Sequence, residues 1–283
     1  MNDAGKNEPV KPRQVKEKLQ TKLFGKAIHY FSKVGSTNDL AKELASLRAR
    51  EGTVIVAGSQ TGGKGRSGRT WASPKGGLWF STILRPKLHP RETPKLTIMS
   101  SLAVAKTISQ LYNLEPEVKW PNDVLINAKK VCGILTEAKT SGDTTSFVIV
   151  GIGINANIEL QSLPEQVRAH ATSLRHELPG IIDCEQLLHV LLEKMEHYYV
   201  MLQNGKFHSV LVEWKRLCRF LGSYVEVMSG KKQIEGWATD VDRDGALILK
   251  LPDGTSRRIL SGDVNIRRGN GQGVKSLMHP RES

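Results

Sequence analysis

Between two apolar, β-branched runs, TVIVAG at 53–58 and GLWFSTILR at 77–85, lies the stretch SQTGGKGRSGRTWASPKG. A loop this rich in glycine, carrying Lys64, Arg66 and Arg69 between two apparent strands, restricts what the chain can be. From Gly58 it has the G-x-x-x-x-G-K spacing of a P-loop, but Gly65 stands where that motif needs Ser or Thr for magnesium. From Gly63 it has the G-x-G-x-x-G spacing of a dinucleotide turn. Both motifs require a helix directly after the glycines, and the following TWASPKGG, with Pro74, Gly76 and Gly77, opposes one. What remains is an ordered glycine loop whose N–H groups and cations suit phosphate or carboxylate. If it is extended, Lys64 and Arg66 point the same way. Alone, such a loop is equally a basic surface hairpin.

The rest of the chain bounds the reading. A length of 283 residues is enough for one large domain and a small second one. No apolar run is long enough to cross a membrane, and no signal-peptide core opens the sequence; a cytoplasmic protein is expected. Cys132, Cys184 and Cys218 form no C-x-x-C pair and read as reduced structural thiols, without a zinc site. The net charge of +13 is concentrated partly at the ends. Residues 1–26 hold seven Lys or Arg against three acids, so 1–24 are expected to form a flexible basic arm, and 269–283 a flexible tail.

Periodicity gives a mixed α/β body over 25–221. FGKAIHYFSKV reads as a strand and STNDLAKELASLRARE as a helix N-capped at Ser36 or Thr37. LTIMSSLAVAKTISQLY, CEQLLHVLLEKMEHYYVMLQ and FHSVLVEWKRLCRF read as helices. EVKW, VLIN, KVCGILTEA and SFVIVGIGIN read as strands of one sheet. Over 222–268 short strands alternate with turns, and the Asp-Gly pairs at 244–245 and 253–254 mark hairpins of a small β module.

Two further segments carry polar chemistry. KWPND at 119–123 gathers a lysine, an amide and a carboxylate at a strand end, and Lys130 comes within reach of Asp123 if the NAKK turn pairs the flanking strands. GIGIN at 151–155 sets two glycines on an apolar strand, as where a ligand or another backbone packs closely. Each taken alone suits a structural turn or a core strand. The histidines, among them His29, His189 and His197, have no partner at metal spacing and read as structural or surface residues.

Taken in order, STN, QTGGKGRSGRTWASPKGGLWFS, KWPND…KKVCGIL, GIGIN and the β module resemble the biotin–protein ligases from about Ser36 to Arg267. ATSL at 171–174 and SGDVNIR at 261–267 are also similar to family segments. The resemblance implies a catalytic domain like that of class II aminoacyl-tRNA synthetases, with a mixed sheet and flanking helices, followed by an SH3-like β-barrel. It implies a two-step reaction: biotin and ATP, with Mg²⁺, give biotinyl-5′-AMP and pyrophosphate, and biotin then passes to a lysine of a carrier domain.

By the same resemblance, Arg66 is the arginine of the loop that retains the intermediate, and Lys64 keeps the charge of the family's first arginine without its fork. Ser36, Thr37, Asn38, Gln60, Gly63, Ser81, Gly133, Gly151 and Gly153 fall at biotin-binding positions, and Trp71 at an apolar cover. Lys130 matches the lysine that meets the biotin carboxylate and the phosphate. Asp123 matches the acid that orients or deprotonates the acceptor lysine. Lys64, Arg66, Arg69, Lys130, Asn155 and Arg267 match ATP contacts, while the metal has no fixed protein site and comes with ATP. Gly77 departs from the family's usual Asn.

The implied partner is the biotin carboxyl carrier domain of a biotin-dependent carboxylase. A homodimer is compatible with the family pattern. With 35 residues before Ser36, the ligase-only form is expected, without a DNA-binding domain or specific DNA binding. A lipoate ligase or octanoyltransferase is the nearest rival, and the Arg-rich loop and KWPND favour the biotin branch. A nucleic-acid-binding protein would explain the pI of 9.7, but 6% aromatics, most of them in apolar segments, offer no stacking platform.

Overall fold

The computed structural model describes residues 10–230 and 232–266. The chain clusters into two compact units, one running to Arg219 and including Arg243–Gly245, the other Phe220–Asp242 and from Ala246 onward.

The first unit is built on seven strands: β1 Ile28–Phe31, β2 Val54–Ala57, β3 Leu78–Leu84, β4 Glu117–Lys119, β5 Asp123–Ile126, β6 Lys129–Ser141 and β7 Thr144–Ile154. Their order across the sheet is β1-β2-β3-β7-β6-β5-β4. β1 and β2 pair in parallel, with α2, Thr37–Ser46, as the crossover; every other pair is antiparallel. This helix packs Ala41 and Ala45 on Ile55, Ile83, Phe147 and Ile149 of one sheet face. Because side chains alternate, Trp79, Ser81, Gly151 and Gly153 lie on that same face. α3, Pro94–Tyr112, packs against α6, Cys184–Gln203, and α7, Phe207–Lys215. Buried hydroxyls of Ser100, Ser101 and Thr107 in α3 donate to carbonyls three or four residues back. An apolar helix thereby carries them without an unpaired group. The short helices α4, Glu165–Arg168, and α5, Leu174–Glu177, follow β7.

The N-terminal segment departs from the expected flexible arm. Residues 12–18 form helix α1, with Pro12 in its first turn and Val15 fully buried. Three glutamates of α6 hold the segment by its backbone. Glu185 accepts from the Lys11 N–H at 2.7 Å and Glu193 from Gln20 at 3.2 Å, while Glu196 accepts from Lys22, Leu23 and Phe24. A basic, proline-bearing stretch reads as solvated only until carboxylates from a distant helix satisfy its donors. His189 has a structural setting here, 3.1 Å from the Lys18 carbonyl and 3.2 Å from Glu193.

The second unit is one antiparallel sheet of β8 Tyr224–Ser229, β9 Lys232–Val241, β10 Leu247–Lys250, β11 Ser256–Ile259 and β12 Asp263–Ile266. Its order is β11-β10-β9-β8-β12, with Gly245 and Gly254 at positive φ in the hairpins expected there.

Candidate active site

The glycine loop is a closed hairpin. Gln60 N–H donates to Ser73 O, Trp71 N–H to Gly63 O and Gly65 N–H to Arg69 O, and its outer side pairs with Val34 and Gly35. The tip, Arg66–Gly68, is a 3₁₀ turn with Ser67 at φ 55°, so the backbone is not extended there. Lys64 and Arg66 consequently go to different partners. Lys64 Nζ donates to Asp39 Oδ1 on α2 at 2.6 Å, and Arg66 Nη1 donates to Asn122 Oδ1 in the KWPND turn at 3.2 Å. The Asp39 hydrogen bond raises the Lys64 pKa above its usual value and keeps the loop cation charged. Arg69 lies at the exposed foot of the turn, its Nε donating to the Arg66 carbonyl.

The KWPND turn and Lys130 meet as the NAKK spacing predicts. Asn127 and Ala128, both at positive φ, make a two-residue hairpin between β5 and β6. A register shift beside Leu125 then sets Lys130 Nζ 2.7 Å from Asp123 Oδ1. Lys130 Nζ also lies 4.9 Å from the centre of the Trp71 ring. Arg66 from the loop and Lys130 from β6 thus meet at the KWPND turn, Lys130 paired there with Asp123, while Lys64 is paired with Asp39 on α2.

Beneath the loop, the two glycines of GIGIN mark a close approach, made here by side chains. An added Cβ at Gly153 would stand 2.4 Å from Trp71 Nε1, and one at Gly151 would stand 2.0 Å from Asn38 Oδ1. One at Gly133, which pairs with Gly153 across the sheet, would stand 2.9 Å from the Trp71 ring. Trp71 Nε1 is buried and unpaired, a donor left available at the site. Gly77 has a similar cause: a Cβ there would overlap the Trp79 ring at 1.9 Å, so the indole takes the space a side chain would need.

One hydrogen-bonded chain joins the polar positions. Gln60 Oε1 accepts from the Thr37 N–H at 2.8 Å and its Nε2 donates to Ser73 Oγ at 2.8 Å. Ser81 Oγ lies 2.7 Å from Thr37 Oγ1 and 2.6 Å from Asn38 Oδ1. Asn38 Nδ2 donates to Glu137 Oε2, whose other oxygen holds Lys42. Asp39, Lys42, Ser73, Asn122 and Glu137 are site residues that residue-by-residue sequence reading does not single out. Ser73 and Asn122 sit inside quoted motifs, while Asp39, Lys42 and Glu137 carry no signal beyond a helix face and a strand. Ser36, the residue before α2, is buried. Asn155 is buried and donates through Nδ2 to the Thr172 carbonyl at 2.9 Å, which ties GIGIN to the ATSL segment. Arg267 lies outside the described residues. A separate cleft of about 660 Å³, lined by Tyr30, Val56, Gly77, Leu78 and Cys184 among others, contains neither the loop cations nor the polar residues of this chain of hydrogen bonds. All three cysteines are free, and burial pushes the Cys184 thiol up to about 12, too high for a nucleophile at neutral pH. Among the described residues, no helix is long and apolar enough to cross a membrane.

A mixed sheet carries an arginine-bearing hairpin over a glycine floor, with a lysine–carboxylate pair at its rim, a setting whose cations suit an anionic ligand. Residues 30–155 match the Biotin/lipoate A/B protein ligase family and 220–267 the Biotin protein ligase C terminal domain. The bifunctional ligase/repressor BirA of Bacillus subtilis is 35% identical over 250 residues, 88% of this chain and 76% of that one. The biotin–[acetyl-CoA-carboxylase] ligase of Paracoccus denitrificans is 30% identical over 79% of this chain and 94% of its own. The biotin protein ligase of Aquifex aeolicus, solved in complex with biotin and ATP, superposes with a TM-score of 0.74 at 30% identity, covering 86% of this chain and 100% of that one. The chain belongs to the biotin–protein ligase family.

Proposed function

We propose that the chain is an ATP-dependent ligase that activates biotin as biotinyl-5′-AMP and transfers it to a lysine of a carboxylase carrier domain. The observation that carries this reading is the convergence of Arg66, Lys130 and Asp123 on one rim of the sheet, above a floor of glycines.

In the first step a biotin carboxylate oxygen bonds to the α-phosphorus of ATP, and the bond to the pyrophosphate oxygen breaks. Both reactants are anions, so fixed cations must offset their repulsion. Lys130 faces the carboxylate and Arg66 the phosphates, while Lys64, paired with Asp39, adds positive charge to the hairpin. Thr37, Asn38, Gln60 and Ser81 form the polar wall that suits a neutral ring bearing both donors and acceptors. Magnesium enters bound to ATP and supplies further charge neutralisation; among the described residues no cluster of three His, Cys, Asp or Glu side chains stands ready to hold it. In the second step the carrier amine bonds to the acyl carbon and AMP leaves. Asp123, released from Lys130, takes the amine's proton or orients it. Asn155 and Arg69 are proposed as nucleotide contacts.

ATP–pyrophosphate exchange in the presence of magnesium tests the proposal. Exchange that requires biotin is expected. Exchange with lipoate alone would move the substrate to the neighbouring branch, and none with either would refute acyl activation.

A further inference from the structure

Lys64 is held in a way that the proposed chemistry does not require. Its ammonium reaches away from the Arg66–Asn122 contact and donates to Asp39 Oδ1 at 2.6 Å, on the first turn of α2. Lys64 is also the central residue of a hairpin rung: Trp71 N–H bonds to Gly63 O on one side, Gly65 N–H to Arg69 O on the other, and Lys64 itself bridges to Thr70. Fixing the Lys64 side chain therefore fixes the whole hairpin. Asp39 is in turn faced by Lys42 Nζ at 3.7 Å, whose closer partner is Glu137 at 2.5 Å, the same carboxylate that accepts from Asn38. The loop is tied by charge to the helix that carries the polar wall of the site.

We propose that Asp39 is a positioning residue: acting through Lys64, it latches the 60–73 hairpin onto α2 and holds Trp71 down on the glycine floor. The pair is on the surface, with side chains 46% and 43% exposed, so the latch is weak and can open to admit substrates. An arginine at 64 would have a bidentate fork to spread between partners, whereas lysine commits a single point charge. The consequence for the reaction rests on the ligase reading; the latch itself does not.

The experiment is limited trypsin digestion of the full, ligand-free chain, since Lys64, Arg66 and Arg69 all lie in the hairpin. Asp39→Asn is expected to speed cleavage within 64–69 by about two- to five-fold, the range an exposed ion pair gives. Cleavage elsewhere and Tm should stay as in the parent, and Asp39→Glu should behave as the parent. Unchanged hairpin cleavage in Asp39→Asn would overturn the latch, and so would acceleration across the whole chain with a lowered Tm. A second arm measures biotinyl adenylate released to solution per adenylate formed, which should rise with the same ratio. If the parent forms no adenylate the ligase reading fails, while the protease arm still decides the latch.

Discussion

Gly151 shows how much of the site depends on an absent atom. A Cβ there would overlap Asn38 Oδ1, and Asn38 cannot swing aside freely because Ser81 and Glu137 both hold its amide. Gly151→Ala is expected to cost about 1–3 kcal/mol, the usual range for overpacking. It should also raise KM for biotin more than it lowers kcat, and a biotin titration with a denaturant melt checks both. In the proposed reaction Arg66 and Lys130 serve different steps. Arg66→Gly should leave adenylate synthesis measurable but let the intermediate escape, seen as biotin on bystander proteins; retention equal to the parent's would contradict this. Lys130→Ala should lower the rate of pyrophosphate exchange itself by about 10²–10³, the scale for removing one group that meets developing charge. An exchange rate equal to the parent's would remove Lys130 from the first step.

At the scale of elements, the hairpin and the N-terminal strap behave differently under solution conditions. Asp39 raises the Lys64 pKa above 10.5, so the latch is complete below that value and is lost as pH rises through the folded pKa. Hairpin proteolysis should therefore be insensitive to pH from neutrality to about pH 9, yet increase with salt, because the pair is exposed. The strap of residues 10–24 depends on Glu196, which accepts three backbone N–H groups. Glu196→Ala should destabilise the protein by about 1–3 kcal/mol through the donors left unpaired near buried Phe24, read as a lower Tm. The sequence disclosed the β5–β6 hairpin and the Lys130–Asp123 approach because both follow from a local turn and a strand period. It concealed the strap, whose partners lie some 173 residues away and leave no periodic trace. The same division applies within the site. The glycines of GIGIN signal a close approach, but that Trp71 and Asn38 make it depends on how a hairpin and a helix fold back over the sheet. The split of Lys64 and Arg66 between α2 and the KWPND turn was equally hidden, since it depends on a 3₁₀ turn that a two-residue strand period cannot show.

For the whole molecule, the sequential logic of the proposed reaction has a thermodynamic signature that needs no acceptor protein. A ligand that binds only the folded state stabilises it by RT ln(1 + [L]/Kd), about 2.7 kcal/mol at a hundred-fold excess over Kd. For a unit of this size that corresponds to a rise in Tm of roughly 5–10 °C. In the proposed reaction biotin alone would meet the polar wall and glycine floor but leave the cations to their internal partners, Asp39, Asn122 and Asp123. ATP alone must displace those partners with no carboxylate beside it. Once the two are joined, a single ligand spans wall, floor and rim and keeps the hairpin closed. Biotin with magnesium and ATP should therefore raise Tm by more than the sum of the separate shifts. Arg66→Gly should keep the shift due to biotin but lose the excess. An additive response in the parent would mean that no retained intermediate forms, and that the hairpin over the glycine floor orders substrates without sealing in their product.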